Sequence, residues 1–231
     1  MKQRAICLQH VPFEGPGVFK SALEERGFDF VSRLVPRSGP PKDVPDALVI
    51  MGGPMSVNDT DAWLEAEKEY IRTCVKAGIP VLGVCLGSQL LADAHGGTVA
   101  PSATPEIGLH PIQLTKAAKD DPCFGELPKT FDVFQWHGES ITKAPPKSVV
   151  LASSATETVQ AFRIKDNAYG LLFHCEIDAQ TVADLCQACS SDLRGAKTTA
   201  NKVERAYGKA RPDLHTYAHA IIDGFVSQLI R

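Results

Sequence analysis

Two uninterrupted apolar runs, Ala47-Leu48-Val49-Ile50-Met51 and Pro80-Val81-Leu82-Gly83-Val84, constrain this chain more than any other feature. A strand that is apolar at every position has to be covered on both faces, as the buried strands of parallel sheets are. Between the runs, Trp63 to Ala77 reads as a helix, with Asp59-Thr60-Asp61 as capping candidates and Gly78 to close it. Upstream, Arg4 to Gln9 is a further apolar run, and Gly17 to Arg26 a helix ending at Gly27. Asp29 to Val35 is strand-like, and Pro36 to Pro45 a proline-rich loop. This alternation predicts an α/β fold, an open and mostly parallel sheet with helices on both faces.

The pattern changes after Gly97. From there to Val150 the segments read as short, rich in Pro and Gly, and antiparallel in character. Val159 to Ile164 and Tyr169 to Phe173 form a strand pair about the turn Lys165-Asp166-Asn167. Ala179 to Arg231 reads as helical in two or three pieces, with Pro212 opening the last. No repeat, low-complexity segment or long linker divides the chain. One domain over residues 1–231 is expected, with a helical C-terminal extension from about residue 179.

The 231 residues are 44% hydrophobic and 22% charged, which excludes disordered, collagen-like and coiled-coil classes. Lys and Arg total 24 against 27 Asp and Glu, and they are scattered. Neither nucleic acid nor a membrane surface is therefore an expected partner. The most apolar window, Ile79 to Ala92, is broken by Gly83, Gly87, Ser88 and Gln89 and cannot span a bilayer. The run Ala5 to Leu8 is too short for a signal-peptide core. Seven cysteines without framework spacing fit a reducing compartment, so a cytoplasmic protein is expected.

The chemistry begins at Gly83-Val84-Cys85-Leu86-Gly87, a strand running into G-x-C-x-G and then a helix. That is the form of a nucleophile elbow: the glycines permit a sharp turn that exposes the central side chain. There the helix N-terminus lowers a thiol pKa, and the next backbone N–H points at a developing oxyanion. Alone, the turn reads nearly as well as a site for a buried structural cysteine. A thiol nucleophile also needs a base and an orienter, and His174-Cys175-Glu176 offers both. Residues i and i+2 at a strand end project to the same side, so imidazole and carboxylate can meet.

Other candidates are weaker. Cys186-x-x-Cys189 lacks the second pair of a zinc site, and His215 and His219 lack a third ligand nearby in sequence. Neither a metal nor a cofactor is expected. Phe13-Glu14-Gly15-Pro16-Gly17 lacks dinucleotide-loop spacing and is expected to shape a loop at the sheet's carboxyl edge.

The blocks Gly52-Gly53-Pro54, Gly83 to Gln89 and Gly170 to Glu176 resemble those of class I, triad-type glutamine amidotransferases. Phe134-Gln135-Trp136-His137-Gly138-Glu139 looks like a fourth family block and Glu106-Ile107-Gly108 a fifth. The likeness runs from about Ala47 to Asp178 and is strongest to the glutaminase half of GMP synthase. It implies that Cys85 attacks the side-chain amide of glutamine while His174, held by Glu176, carries the proton. It further implies that Gly53 and Leu86 donate to the oxyanion. Gln89, Trp136, His137, Gly138 and Glu139 would then hold the substrate. The chain departs from the family at Ser88, often His there, and at Cys175, usually Pro. It carries no G-x-x-x-x-G-K-[ST] phosphate loop. Ammonia is thus expected either to reach a separate synthetase subunit or to be released by simple hydrolysis of γ-glutamyl compounds. A non-catalytic regulatory subunit on the same fold is a third class. An α/β-hydrolase is disfavoured, because its acid would precede its histidine.

Overall fold

The computed structural model describes residues 2–230 of the chain. Its strands are β1 (Arg4–Gln9), β2 (Asp29–Leu34), β3 (Ala47–Ile50), β4 (Val81–Val84), β5 (Thr98–Leu114), β6 (Thr130–Lys143), β7 (Val149–Ser153), β8 (Ala161–Ile164) and β9 (Ala168–Leu171). The helices are α1 (Gly17–Glu25), α2 (Val35–Ser38), α3 (Ala62–Ala77), α4 (Leu86–Ala94), α5 (Ala179–Ala188), α6 (Ser190–Gly195) and α7 (Ala200–Ser227).

All nine strands join one sheet in the order β2-β1-β3-β4-β9-β8-β7-β5-β6. The first five in that order run parallel, and the remaining pairings are antiparallel. The continuous apolar runs are explained by the two faces. Ala5, Cys7, Ala47 and Val49 pack toward α1 and the end of α7, through Phe19, Leu23, Ile222 and Phe225. Their neighbours Ile6, Leu8, Leu48 and Ile50 pack toward α3 and α4, through Leu64, Ile71, Leu90 and Leu91. Each strand residue has a helix to face, so there is no polar side to alternate with.

The antiparallel section differs from its expected form. Instead of short segments, β5 and β6 are 17 and 14 residues long and pair along most of their length. The prolines that suggested breaks are absorbed rather than obeyed. A register shift between Pro101 and Glu106 takes up Pro105, and β7 meets β5 only at Gln113 and Leu114. Much of β5 therefore has an unpaired edge, where a missing N–H costs little.

Pro212 is a second departure. It lies inside α7 rather than at its start. Val203, Tyr207 and Leu214 pin one end of this helix against β6 and α5, while Ala218, Ile221 and Phe225 pin the other under the sheet. Burial on both sides of the proline outweighs a local cost of about 3 kcal/mol. The extension comes as three helices, with α5 ending at Ala188, α6 starting at Ser190 and α7 at Ala200. No helix among the described residues is long and apolar enough to cross a membrane.

Candidate active site

Strand β4 ends at Val84 and α4 starts at Leu86, leaving Cys85 alone at the corner with φ 51° and ψ −113°. A non-glycine residue at positive φ is strained, and such strain gathers at functional positions. The neighbouring glycines show why the corner needs its sequence. A Cβ on Gly87 would stand 2.2 Å from the Ile50 carbonyl oxygen, and one on Gly83 2.5 Å from that of Gly87. Helix α4 can press against β3 and β4 only because both side chains are absent.

His174 lies three residues beyond β9. It is locked to β6 by paired backbone bonds, His174 N–H to Phe134 O at 2.7 Å and Phe134 N–H to His174 O at 3.2 Å. Its Nδ1 is 2.8 Å from Glu176 Oε1, and the Cys175 N–H donates to Glu176 Oε2 at 3.1 Å. Nδ1 is thus committed to Glu176, and the ring also interacts with the Cys85 thiol. Cys85 Cβ and His174 Cε1 each lie 3.4 Å from the place a Gly52 Cβ would occupy, so both flank that glycine. Burial draws the His174 pKa down, but Glu176's charge and Cys85 outweigh it and carry it well above the usual value. Cys175, between the two, is fully buried in the core, and burial followed by the charge of Glu176 pushes its thiol well up.

The glutamate backbone is fixed by α1 and α7. Val18 N–H donates to Glu176 O at 2.8 Å, and Tyr207 OH and His215 Nε2 reach the next carbonyl, Ile177 O, at 2.8 and 3.2 Å. His215 is thus partly buried and engaged rather than a free surface residue. Gly17 has φ 46°, and a Cβ there would sit 2.0 Å from Glu176 O. The Phe13 to Gly17 loop does lie at the carboxyl edge, as expected. It also brings a carboxylate not singled out in the sequence: Glu14 is buried, and burial pushes its pKa up against the opposing pull of His174 and His10.

A cavity of about 710 Å³ opens over Cys85, with Gly53, Gln89, Trp136 to Glu139 and Glu14 among its walls. Seven of the ten residues selected from the sequence line this cavity, while Leu86 opens α4 beside Cys85 and His174 and Glu176 line a smaller recess with Glu14 and Gly52. Neither the Gly53 nor the Leu86 N–H has a recorded backbone acceptor among the described residues. Gln89 gives its Nε2 to Glu139 O at 3.1 Å, and Glu139 Oε1 accepts from the Ser56 hydroxyl at 3.0 Å. Trp136 accepts from the Cys85 thiol through its carbonyl at 3.6 Å and donates Nε1 to Asp192 on α6 at 3.3 Å. Leu185, Cys189 and Asp192 complete the wall, so the C-terminal helices form part of the site.

His137 turns its ring toward Glu106, Nε2 to Oε2 at 3.1 Å. Glu106, His137 and Glu157 place ligand-type atoms within 4.8 Å of one another, the one such group among the described residues. Glu106 is already committed, since Thr156 donates to Oε1 and Gln160 to Oε2. Burial would raise its pKa, but His137 and Thr156 hold the carboxyl below its ordinary range. The group reads as a carboxylate network tying β5 to β6. Sequence reasoning also missed Asp192 and the buried pair His10 and Glu67, whose contacts span 56 and 57 residues.

A model of the family described as glutamine amidotransferase class-I matches residues 20–184. The chain is 40% identical over 133 residues to GMP synthase [glutamine-hydrolyzing] of Thermomicrobium roseum, covering 58% of this chain and 24% of that protein. It is 31% identical over 205 residues, 84% of each, to the glutamine amidotransferase-like protein YfeJ of Salmonella typhimurium. The crystal structure of a glutamine amidotransferase from Methylobacillus flagellatus superposes with a TM-score of 0.91 at 28% identity, over 99% of this chain and 96% of that one. The chain spans about a quarter of the GMP synthase it matches, but nearly the whole of the other two. With the elbow, the histidine–glutamate pair and the sheet order in hand, this chain belongs to the class I glutamine amidotransferase family.

Proposed function

We propose that the chain is a glutamine amidohydrolase, releasing ammonia from the glutamine side chain through a γ-glutamyl thioester on Cys85. The observation that carries this reading is the strained Cys85 corner facing a histidine whose far nitrogen is held by Glu176 at 2.8 Å. Cys85 Sγ, its proton passed to His174, attacks the amide carbon, and the oxygen takes up negative charge opposite the N–H groups of Gly53 and Leu86. His174, protonated and stabilised by Glu176, delivers its proton as the C–N bond breaks and ammonia leaves. Water then attacks the thioester while His174 takes its proton, and glutamate departs as Cys85 regains a hydrogen. Gln89 and the stretch Trp136 to Glu139 hold the α-amino and α-carboxylate ends. No cofactor enters these steps.

Ammonia is lost to water unless it is passed on. We therefore assign the product to a synthetase site outside these residues, by analogy with the relative whose name couples glutamine hydrolysis to GMP synthesis. Seven unpaired cysteines fit this work in the cytoplasm. The test is ammonia release from L-glutamine and from a panel of γ-glutamyl peptides, by the purified chain and by Cys85→Ala. Glutamine turnover that vanishes in the variant is expected. Fast peptide cleavage with little action on glutamine would replace this reading with a γ-glutamyl peptide hydrolase. No turnover of either, with Cys85 unreactive to a glutamine-analogue alkylator, would leave a regulatory subunit.

A further inference from the structure

Just beyond β1, His10 is buried together with Glu67 of α3; neither side chain has any exposed surface. His10 Nε2 lies 3.1 Å from both oxygens of Glu67, and His10 Nδ1 lies 3.0 Å from Gly52 O. A carbonyl only accepts, so Nδ1 carries a hydrogen; an ionised carboxylate only accepts, so Nε2 carries one too. The ring is then an imidazolium donating from both ends. Burial draws its pKa down, yet the hydrogen bond and charge of Glu67 prevail and the net shift is upward. Trp63 lies over the ring at 5.7 Å, and Glu14 adds a second negative charge nearby. With both nitrogens occupied, His10 cannot carry protons for the reaction.

What it holds is the informative part. Gly52 O and Gly53 N–H are the two ends of one peptide unit, and no peptide bond among the described residues is cis. In a trans peptide the C=O and N–H point in opposite directions. Fixing the Gly52 oxygen on His10 therefore fixes the Gly53 N–H, which points the opposite way within the same peptide plane. A cation on the carbonyl also polarises the amide and strengthens its N–H as a donor. The contact is close: a Cβ on Gly53 would lie 2.9 Å from His10 Cβ and 3.1 Å from Leu86 Cδ2.

We infer that the buried His10–Glu67 pair is a positioning device for the oxyanion hole, holding the Gly52–Gly53 peptide so that its N–H meets the substrate oxygen. The inference rests on the reading of Gly53 as an oxyanion donor.

The experiment measures kcat and KM on glutamine for wild type, His10→Leu, His10→Gln and His10→Asn, each normalised to Cys85 thiols alkylated by iodoacetamide. That alkylation needs the thiol but not the hole. Inhibition by a γ-aldehyde analogue of glutamine, whose Cys85 adduct places its oxygen in the hole, is measured alongside. The Leu variant is expected to lose kcat per reactive thiol by about 10²-fold, with KM within about 3-fold and aldehyde affinity falling in parallel. Asn places an amide nitrogen where Nδ1 stands and can still donate to Gly52 O, so it should retain most of kcat. Gln reaches the position of Nε2 instead and should fall with Leu. Should Leu fail to fold, the contrast between Asn and Gln decides. If the variants lose reactive protein but keep wild-type kcat per remaining thiol, the pair is merely structural and the inference is overturned. A wild type without turnover on glutamine or γ-glutamyl peptides overturns the glutaminase reading, and this inference with it.

Discussion

At the mouth of β9 a buried histidine gives one ring nitrogen to a glutamate, and its ring interacts with a thiol. At the mouth of β1 a buried histidine gives both nitrogens away. The residue types are the same, burial is similar, and both pKa values are raised with help from a neighbouring carboxylate. What separates them is a single acceptor, the Gly52 carbonyl. On the proposed reading, the pair whose ring meets the proton-exchanging thiol acts as an acid–base device, and the pair whose second nitrogen faces a peptide oxygen acts as a clamp. Chemical identity therefore does not assign the role of a buried histidine; the occupancy of its two nitrogens does.

This contrast can be broken at several points. The largest effect is expected from Cys85→Ala, which takes away the group that His174 serves. Ammonia release should fall by roughly 10⁴-fold or more, with thermal unfolding close to wild type because Cβ stays in place. Surviving turnover would remove the distinction between the two pairs. Next comes Glu176→Gln, which keeps the shape of the contact and removes its charge. A loss in kcat of about 10²- to 10⁴-fold is expected.

The same change has a pH signature. Without Glu176's charge the His174 pKa should drop, moving the alkaline limb of kcat/KM to lower pH. In wild type the raised pKa means that the pair stabilises the fold fully below about pH 6.5 and loses that contribution as pH climbs through the elevated folded-state value. The stability gap between wild type and Glu176→Gln in urea should accordingly narrow as pH rises. A gap that widened would contradict the assignment of a protonated His174.

Smaller effects test the frame around the pair. Gly17→Ala puts a Cβ against Glu176 O at a residue with positive φ. It should cost about 2–4 kcal/mol in urea unfolding and lower kcat by displacing the glutamate. The smallest effect is expected from Asp192→Ala, which frees the Trp136 indole. Loss of one partly exposed hydrogen bond, about 0.5–1.5 kcal/mol, should raise KM by about 3- to 10-fold and leave kcat nearly unchanged. A kcat loss as large as that of Glu176→Gln would instead make α6 part of the catalytic frame.

How legible these features were in the sequence follows from distance along the chain. Cys85 between Gly83 and Gly87, and His174 two residues before Glu176, are written within short windows, and the structure sets them as those windows imply. The parallel half was legible for a related reason: strands buried on both faces leave no polar alternation, so Ala47 to Met51 announced itself. In β5, by contrast, prolines signal a break only where their missing N–H would be needed, and an unpaired edge does not need it. The same holds for Pro212, where buried residues on either side carry the helix through.

By itself, then, the sequence determined the α/β alternation, the elbow, and the local order of thiol, imidazole and carboxylate, because each depends on backbone geometry over a few residues. Only the tertiary structure decided that Glu14 shares the cavity wall with Cys85, that Asp192 holds Trp136, and that His10 meets both Glu67 and Gly52. Those contacts join side chains tens of residues apart, and no periodicity or spacing encodes them. They exist because strand order brings the carboxyl ends of β1, β3, β4 and β9 to one edge of the sheet, where groups from distant parts of the chain are buried together.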